Sequence, residues 1–168
     1  MKARSQSFSI LIRRFRVENF VDRNSIRIRK ARQSDAKRIA QLSGELGYPA
    51  TPAEIAARLR QLTAASKHAV IVAESNDAAR VVGWIHVSVS YLLESDARAE
   101  VNGLVVAEGR RSAGAGAKLL EAAEEWARKR GCRGMNVRSN VIRERAHKFY
   151  ERQGYEHYKT QKAFRKPL

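Results

Sequence analysis

A strand, a glycine-bearing loop and a helix follow one another between residues 100 and 130, and this order constrains the fold most. The run from Val101 to Val106 is rich in β-branched residues, which is typical of a strand. Apolar residues then recur at helical spacing. This spacing predicts a helix whose buried face consists of Leu119, Leu120, Ala123, Trp126 and Ala127. Such an order belongs to layered α/β or α+β folds.

The loop between this strand and this helix has the chemistry of an anion site. Backbone amides at a helix N-terminus have no intrahelical partners and lie at the positive end of the helix dipole. Gly114 and Gly116 have no Cβ, so a ligand can approach the backbone closely there. Arg110, Arg111 and Lys118 add positive charge that a phosphate would favour. The alternative is a tight turn whose arginines are only solvated.

The spacing of the loop excludes two common phosphate-binding motifs. The chain contains no G-x-x-x-x-G-K-[ST], and its Gly-Ala-Gly run lacks the third glycine and the acidic residue of a dinucleotide site. The pattern Arg111-x-x-Gly114-x-Gly116, directly after a strand, resembles the pyrophosphate loop of the GNAT superfamily, the acyl-coenzyme A dependent N-acetyltransferases. Residues 143–155 are similar to the second signature of that family, a helix with A-x-x-x-Y followed by G-[FY]. The resemblance extends from about Ile26 to the C-terminus.

The resemblance implies the architecture and the cofactor site. We expect a single mixed and strongly twisted sheet, flanked by helices, whose two central parallel strands splay apart. The cleft between them would hold the pantetheine arm of acetyl-coenzyme A like a guest strand. The expected cofactor contacts are Leu104, Val105, Val106, Arg111, Ser112, Ala113, Gly114, Ala115, Gly116, Ala117, Lys118, Asn140 and Arg143. Arg143 stands where many relatives carry asparagine, so Asn140 is the candidate for that pantetheine contact.

Amide formation from an amine and a thioester needs a neutral amine and a donor for the developing oxyanion. Glu100 is the candidate base because it stands eleven positions before Arg111, where one branch of the family places its catalytic glutamate. Strand alternation would put it on one face with Asn102, Leu104 and Val106, looking into the cleft. The alternative role of Glu100 is to bind a cationic acceptor.

The departing thiolate also benefits from a proton, and the resemblance gives this role to Tyr150. A phenol pKa near ~10 lies close to that of a thiol near ~8.5, so transfer between them would be nearly balanced. The alternative is an aromatic ring packed under the sheet beside Phe149.

Two early helices border the acceptor site in GNAT proteins. The sequence predicts one helix capped by Ser34 and ended by Gly47, and a second that opens with a capping box, Thr51 to Glu54. The candidates for acceptor contact are Glu45, Tyr48 and Glu54 around these helices, and His86 on a strand face with Trp84 and Ser88. The alternatives are an exposed loop tip, a helix cap and a histidine that only packs.

Simple periodicity organises the remaining segments. We predict strands at residues 26–31, 68–74, 81–89 and 133–138, a polar connection at 91–98 and a helix at 142–153. The segments 155–161 and 163–166 are expected to close the sheet as a last pair of strands. The predicted domain therefore comprises residues 26–168. Residues 1–25, a basic N-terminal extension rich in Arg and Ser, are expected to lie outside it.

Composition limits the class of partner. A net charge of +16 suits a polyanion-binding protein, so a nucleic-acid or ribosome-associated binding protein is the alternative to an enzyme. The positive charge is dispersed along the chain, however, so nucleic acid is not the expected partner. The lone cysteine, Cys132, suits a reducing cytoplasm, and neither a metal site nor a membrane segment is predicted. The expected function is acetyl transfer to a small-molecule or peptide amine, with homodimer formation left open.

Overall fold

Up to residue 153, the helices and strands follow one another in the order that the sequence predicts. The computed structural model describes residues 26–76, 80–111 and 113–167, so the predicted extension, residues 1–25, lies outside the described residues. The strands are β1 (Ile26–Lys30), β2 (His68–Ser75), β3 (Arg80–Leu92), β4 (Ser95–Val106) and β5 (Met135–Val137). The helices are α1 (Ala36–Glu45), α2 (Pro52–Ala64), α3 (Ala115–Arg128) and α4 (Glu144–Arg152).

The five strands form one mixed sheet in the order β1-β2-β3-β4-β5. The first four are antiparallel neighbours, whereas β5 runs parallel to β4. The parallel pairing extends only from Ala99 opposite Met135 to Val101 opposite Val137. β5 ends at Val137, opposite Val101, whereas β4 continues to Val106. The last part of β4 is therefore not paired with β5. We call this place the β4–β5 split, and the mixed sheet predicted from the resemblance is confirmed.

A β-bulge lies where the split begins. Gly103 pairs with His86 and Val101 pairs with Val87, which leaves Asn102 as the extra residue on β4. The extra residue reverses the alternation. Glu100 and Gly103 are therefore on one face, whereas Val101, Leu104 and Val106 pack on the other. The prediction that Glu100 shares a face with Leu104 and Val106 is wrong, because a period of two holds only in an uninterrupted strand.

Each face of the sheet has its own apolar layer. Between α3 and the sheet, buried residues of the helix meet buried residues of the strands: Leu119, Leu120 and Ala123 from α3, and Ile85, Val87 and Val101 from the sheet. Between α1, α2 and the other face, the buried residues are Ile39, Leu42, Ile55 and Leu59 from the helices, and Val70 and Val105 from the sheet. Full burial of one such aliphatic side chain contributes about 1.5–3 kcal/mol, so each layer anchors its helices firmly. The predicted helix stripes are confirmed, and the described segments contain no helix long and apolar enough to cross a membrane.

Two predictions of connecting segments are wrong. The predicted polar connection at 91–98 is a tight hairpin, in which Leu92 pairs with Ser95. Antiparallel strands can extend past their apolar part because backbone groups alone form the ladder. The predicted strand pair at the C-terminus is also absent, since residues 155–167 contain no strand and all from 156 onward are exposed. That segment buries too little apolar surface to stabilise a hairpin.

The start of the first helix also differs from the prediction. Ser34 lies inside a 3₁₀ turn, Gln33–Asp35, and makes no capping hydrogen bond to α1. The neighbouring carboxylate acts instead, because Asp35 Oδ2 accepts from the Arg32 amide at 2.7 Å. The capping box of α2 is confirmed. The Glu54 amide donates to Thr51 Oγ1 at 3.2 Å, and the Thr51 amide donates to the Glu54 carboxylate at 2.7 Å.

Candidate active site

The glycine loop leads into the N-terminus of α3. Gly114 caps the helix with φ +82 and ψ −6, a left-handed conformation that glycine adopts without strain. A Cβ on this residue would meet nothing within 4 Å, so the space in front of the loop is open. The first helical hydrogen bond runs from the Lys118 amide to the Gly114 carbonyl at 3.1 Å. The amides of residues 115–117 therefore precede the helical ladder and can bind an anion.

Arg111 folds back onto the strand that precedes the loop. Its Nε donates to the Val106 carbonyl at 3.2 Å, and its Nη1 lies 3.6 Å from the Glu108 carboxylate. Glu45, a candidate for acceptor contact, reaches the same turn, where its Oε2 accepts from the Glu108 amide at 3.1 Å. These contacts fix the loop against β4 and α1. Ser112 lies outside the residues that the structure describes.

Backbone groups of β4 face the split. The Ala107 amide donates to the Val82 carbonyl of β3 at 2.7 Å. Because backbone groups point alternately to the two sides of a strand, those of Leu104 and Val106 point away from β3. The predicted pantetheine contacts therefore lie along the side of β4 where β5 has ended. An extended amide-bearing chain can add to this side as a further strand.

Tyr150 lies on α4 close to the start of α3. A Cβ on Gly116 would stand 3.4 Å from the ring of Phe149, so glycine lets the two helices approach closely. Phe149 in turn packs edge-on to Tyr150, with 5.2 Å between ring centroids. Burial raises the pKa of Tyr150 to about 12, while the positive charge of Arg143 acts in the opposite direction. The hydroxyl is therefore protonated at neutral pH, and among the described residues it has no hydrogen-bond partner.

Arg143 and Asn140 have local partners at the start of α4. Arg143 Nη2 donates to the Leu46 carbonyl at 2.7 Å and so ties α4 to the end of α1. Asn140 Oδ1 accepts from the Ile142 amide at 3.2 Å, and its carbonyl accepts from the Arg143 amide. Both side chains therefore have partners within the protein at the start of α4. Their contacts with the cofactor stay predictions.

Glu100 is held by an arginine that the sequence analysis did not single out. Arg138 Nε donates to Glu100 Oε1 at 2.7 Å. The carboxylate side chain is 14% exposed, whereas the arginine side chain is 82% exposed. The hydrogen bond that Arg138 donates to Glu100, and the negative charge of that carboxylate, raise the pKa of Arg138. Arg138 follows β5 directly, and Asn136, two positions earlier, pairs with Glu100. That spacing is the signal that could have identified it.

Other polar side chains continue across the same face of the sheet. His68 Nδ1 and His86 Nε2 lie 3.1 Å apart, one on β2 and the other on β3. Asn102 of the bulge donates to Ser88 Oγ at 2.8 Å, and Ser88 pairs with Glu100. Together with Arg138 these residues form what we call the polar row. Its members are His68, His86, Ser88, Asn102, Glu100 and Arg138.

Burial within this row keeps one histidine neutral. Desolvation lowers the pKa of His86 to about 4, and the neighbouring His68 contributes to the shift. His86 pairs with Gly103, which has no side chain, so the imidazole stands beside the bulge where the split begins. Of the other acceptor candidates, Tyr48 is 68% exposed and Glu54 is engaged with Thr51. Only His86 among these candidates lies in the polar row.

Comparisons with known proteins bear on this site. The sequence model described as the acetyltransferase (GNAT) family matches residues 31–155. No curated protein sequence matches the chain. A solved structure of AAC(6′)-Iy with a bisubstrate analogue of coenzyme A and acetylneamine is 19% identical, with a TM-score of 0.75. That alignment covers 85% of this chain and 99% of the other.

Two further structures have the same fold. Glucosamine-6-phosphate N-acetyltransferase from Arabidopsis thaliana is 21% identical with a TM-score of 0.71, over 83% of this chain and 97% of the other. A transcriptional regulator from Bacillus halodurans C-125 is 24% identical with a TM-score of 0.71, over 83% and 99%. At these identities the three similarities show a common fold.

Proposed function

The chain belongs to the acetyltransferase (GNAT) family, and on this premise we propose that it transfers an acetyl group from acetyl-coenzyme A to a primary amine. The amine, after giving a proton to Glu100, attacks the thioester carbonyl directly while both substrates are bound; the C–N bond forms and the C–S bond breaks, so that coenzyme A leaves as the thiolate. One observation carries the proposal. A Cβ on Gly116 would stand 3.4 Å from the ring of Phe149 and 3.7 Å from the Val106 side chain of β4, and the Phe149 ring packs on Tyr150, so the start of α3, the end of β4 and Tyr150 are neighbours. Anion-binding and proton-donating groups therefore meet at one place.

The residues of the loop and of β4 fit acetyl-coenzyme A. The amides of residues 115–117 would bind the pyrophosphate, since they precede the helical ladder and face open space at Gly114. The backbone groups of Leu104 and Val106 would bind the pantetheine amides along the split. When bound, acetyl-coenzyme A supplies an acetyl group activated as a thioester. Similarity to a structure that holds a coenzyme A analogue supports this assignment.

Tyr150 would donate a hydrogen bond, and finally a proton, to the departing sulfur. Its pKa of about 12 lies further from that of a thiol than the ordinary phenol value of ~10, because burial disfavours the phenolate, so the expected near balance of proton transfer does not hold. Proton transfer from this phenol to a thiolate of pKa ~8.5 is uphill by roughly 5 kcal/mol. The hydroxyl therefore acts first as a fixed hydrogen-bond donor, which lowers the free energy of the developing thiolate.

The polar row would form the floor of the acceptor site. Glu100 offers a carboxylate to an amine, and His86 offers a neutral imidazole beside the bulge. The acceptor is a small-molecule or peptide amine, and the names of two structural neighbours, which refer to acetylneamine and glucosamine-6-phosphate, support the small-molecule class. We place the enzyme in the cytoplasm and residues 1–25 outside the catalytic domain, 26–168.

Acetyl-coenzyme A should stabilise the folded chain by mass action. A hundredfold excess over Kd adds about 2.7 kcal/mol to the free energy of unfolding. Differential scanning fluorimetry measures this as a rise in Tm. Gly114→Val should abolish the rise, because a β-branched residue is strained at φ +82 and projects into the ligand space. Release of free thiol across a panel of primary amines then measures turnover.

Gly131→Val is the matched control for backbone strain. Gly131 has φ +73 and follows the far end of α3, so the variant should lose similar stability yet keep the full rise in Tm. If the native chain shows no rise with acetyl-coenzyme A, the proposed function is wrong.

A further inference from the structure

Arg138 occupies the side of Glu100 that faces solvent. The Glu100 side chain is only 14% exposed, because it stands on β4 between the neighbouring strands β3 and β5. The guanidinium of Arg138, which is 82% exposed, covers the remaining opening through a single contact of 2.7 Å. A ligand that reaches this carboxylate from solvent therefore meets Arg138 first.

The contact is of a kind that exchanges readily. Arg138 uses Nε alone, and no second hydrogen bond of its guanidinium occurs among residues 26–76, 80–111 and 113–167. The residue lies outside any helix or strand, in the segment between β5 and α4. Exposed ion pairs with one contact contribute little to stability, because solvent screens them and holding a long side chain costs entropy. Glu100 lies within a paired strand and is 14% exposed, so the arginine is the partner that can leave.

The groups around Glu100 indicate what can replace the arginine. The replacement must carry a positive charge, since a carboxylate that is largely shielded from water is costly without one. Ser88 pairs with Glu100 across the strands, and the amide of Asn102 bonds to the Ser88 hydroxyl. A cationic amine with polar neighbouring atoms would thus find hydrogen-bonding partners beside the carboxylate.

We propose that Arg138 is a specificity-determining residue, which holds the place of the acceptor's ammonium group on Glu100 until a cationic primary amine displaces it. The inference rests on the function proposed above and states how the acceptor site distinguishes cationic from uncharged amines. Charge is conserved in the exchange, because one cation leaves the carboxylate as another binds. Glu100 then acts first as the group that binds the ammonium. Amines that are uncharged at neutral pH should compete poorly with the arginine.

Arg138→Gln tests the exchange without any turnover. Binding of the probe ethylammonium is followed by the NMR shift of the Asn102 side-chain amide in native and variant protein. We expect the variant to bind the probe roughly 2- to 5-fold more tightly than the native chain, because the internal competitor is gone. Arg138→Lys keeps a cation and should show little gain. The double variant with Glu100→Gln should lose the gain.

Arg133→Gln is the matched control for net charge. Arg133 is 79% exposed and pairs with Asp96 at 3.1 Å, so the variant also removes one exposed, paired arginine. Because the chain carries a net charge of +16, removal of any arginine weakens general repulsion of a cation. The control measures this general effect on ethylammonium binding, and we expect it to be clearly smaller than the gain in Arg138→Gln. Equal gains in Arg133→Gln and Arg138→Gln, or no gain in Arg138→Gln, would overturn the inference.

Turnover separates this inference from the proposed function. In Arg138→Gln the KM for a cationic amine should fall by a similar factor, while the KM for acetyl-coenzyme A stays constant. If thiol is released but the KM for the amine rises, Arg138 acts by positioning Glu100. The inference is then wrong, but the proposed acetyl transfer is supported. If no amine releases thiol yet the probe gain appears, the cation site stands and the proposed acetyl transfer fails.

Discussion

Two arginine–carboxylate groups in this molecule differ in the number of their contacts and in the exposure of the arginine. At the β1 edge, Arg29 donates to both oxygens of Asp35, at 2.8 and 3.0 Å, and to Glu74 at 2.9 Å. All three side chains are less than a quarter exposed. At the β4–β5 split, Arg138 makes one contact with Glu100 and is largely exposed. The first group ties β1, β2 and the start of α1 together, whereas we propose that the second gives up its arginine to a ligand.

The difference teaches that charge pairing alone does not show what an ion pair does. A bidentate fork with buried partners is costly to break, because each partner would be left charged and shielded from water. A single contact made by an exposed arginine can exchange for another cation at little cost, because the carboxylate stays paired. We therefore expect changes at the β1 edge to act on stability and changes at the split to act on catalysis.

The largest effect should come from the split, with Tyr150→Phe. The variant keeps the ring that packs on Phe149 but removes the hydroxyl, so kcat should fall by ~10²–10⁴. The KM for acetyl-coenzyme A and the Tm should change little. Steady-state kinetics with thiol detection measure both constants.

Tyr155→Phe is the control on the same cluster of rings. Tyr155 donates to the Glu124 carboxylate at 3.1 Å, so its variant should lose about 1 kcal/mol of stability and keep kcat. An unchanged kcat in Tyr150→Phe would assign Tyr150 to packing and the proton to solvent.

The next effect belongs to the β1 edge, with Asp35→Asn. The amide cannot balance the charge of Arg29, and breaking a buried pair typically costs about 3–5 kcal/mol. We expect about 3 kcal/mol less free energy of unfolding in urea, while kcat and both KM values of the folded enzyme stay constant. Loss of activity without loss of stability would remove the distinction between the two regions.

Local patterns explain why the β1 edge and the α3 region were largely predictable. The stripe of α3 and the capping box of Thr51 each depend on residues within a few positions, where helix geometry fixes the spacing. At the β1 edge, the bond of Asp35 to Arg29 joins a turn and a strand only six positions apart.

The split was less predictable because its geometry depends on partners that are far apart in sequence. The bulge at Asn102 arises from the pairing register of β4 against β3, and no sequence pattern within β4 predicts it. Arg138 reaches Glu100 from 38 positions away, after a strand of three residues. The prediction of strands at residues 155–161 and 163–166 was wrong for a different reason. These residues bury too little apolar surface to stabilise a pair of strands.

A third and smaller effect lies between the two regions, at the histidine pair. His86 has a pKa of about 4 in the folded chain and 6.5 as its ordinary value, so the unfolded chain binds the proton more readily. This stability is fully present above about pH 6.5 and is lost as the pH falls toward 4. After allowance for solvent at the ring, we expect a loss of roughly 1–2 kcal/mol between pH 7 and pH 5.

Urea unfolding at both pH values measures this loss. His86→Gln should remove the dependence in that window. The carboxylates of the β1 edge act at lower pH. Burial alone would raise the pKa of Asp35, but hydrogen bonds from Arg29 and the Arg32 amide outweigh it and lower the pKa. Their contribution is lost only below about pH 4. A dependence that survives in His86→Gln would place the titrating group elsewhere.

The smallest effect tests the corrected start of the first helix, through Ser34→Ala. A serine that caps a helix contributes typically about 1 kcal/mol, because its hydroxyl accepts from a free amide. Here the Asp35 carboxylate bonds to the Arg32 amide, and Ser34 is exposed within the 3₁₀ turn. The variant should therefore change the free energy of unfolding by less than about 0.5 kcal/mol. A loss of a full kcal/mol in urea unfolding would mean that Ser34 caps α1 in solution, and that the network of Arg29 and Asp35 carries less of the β1 edge than its geometry indicates.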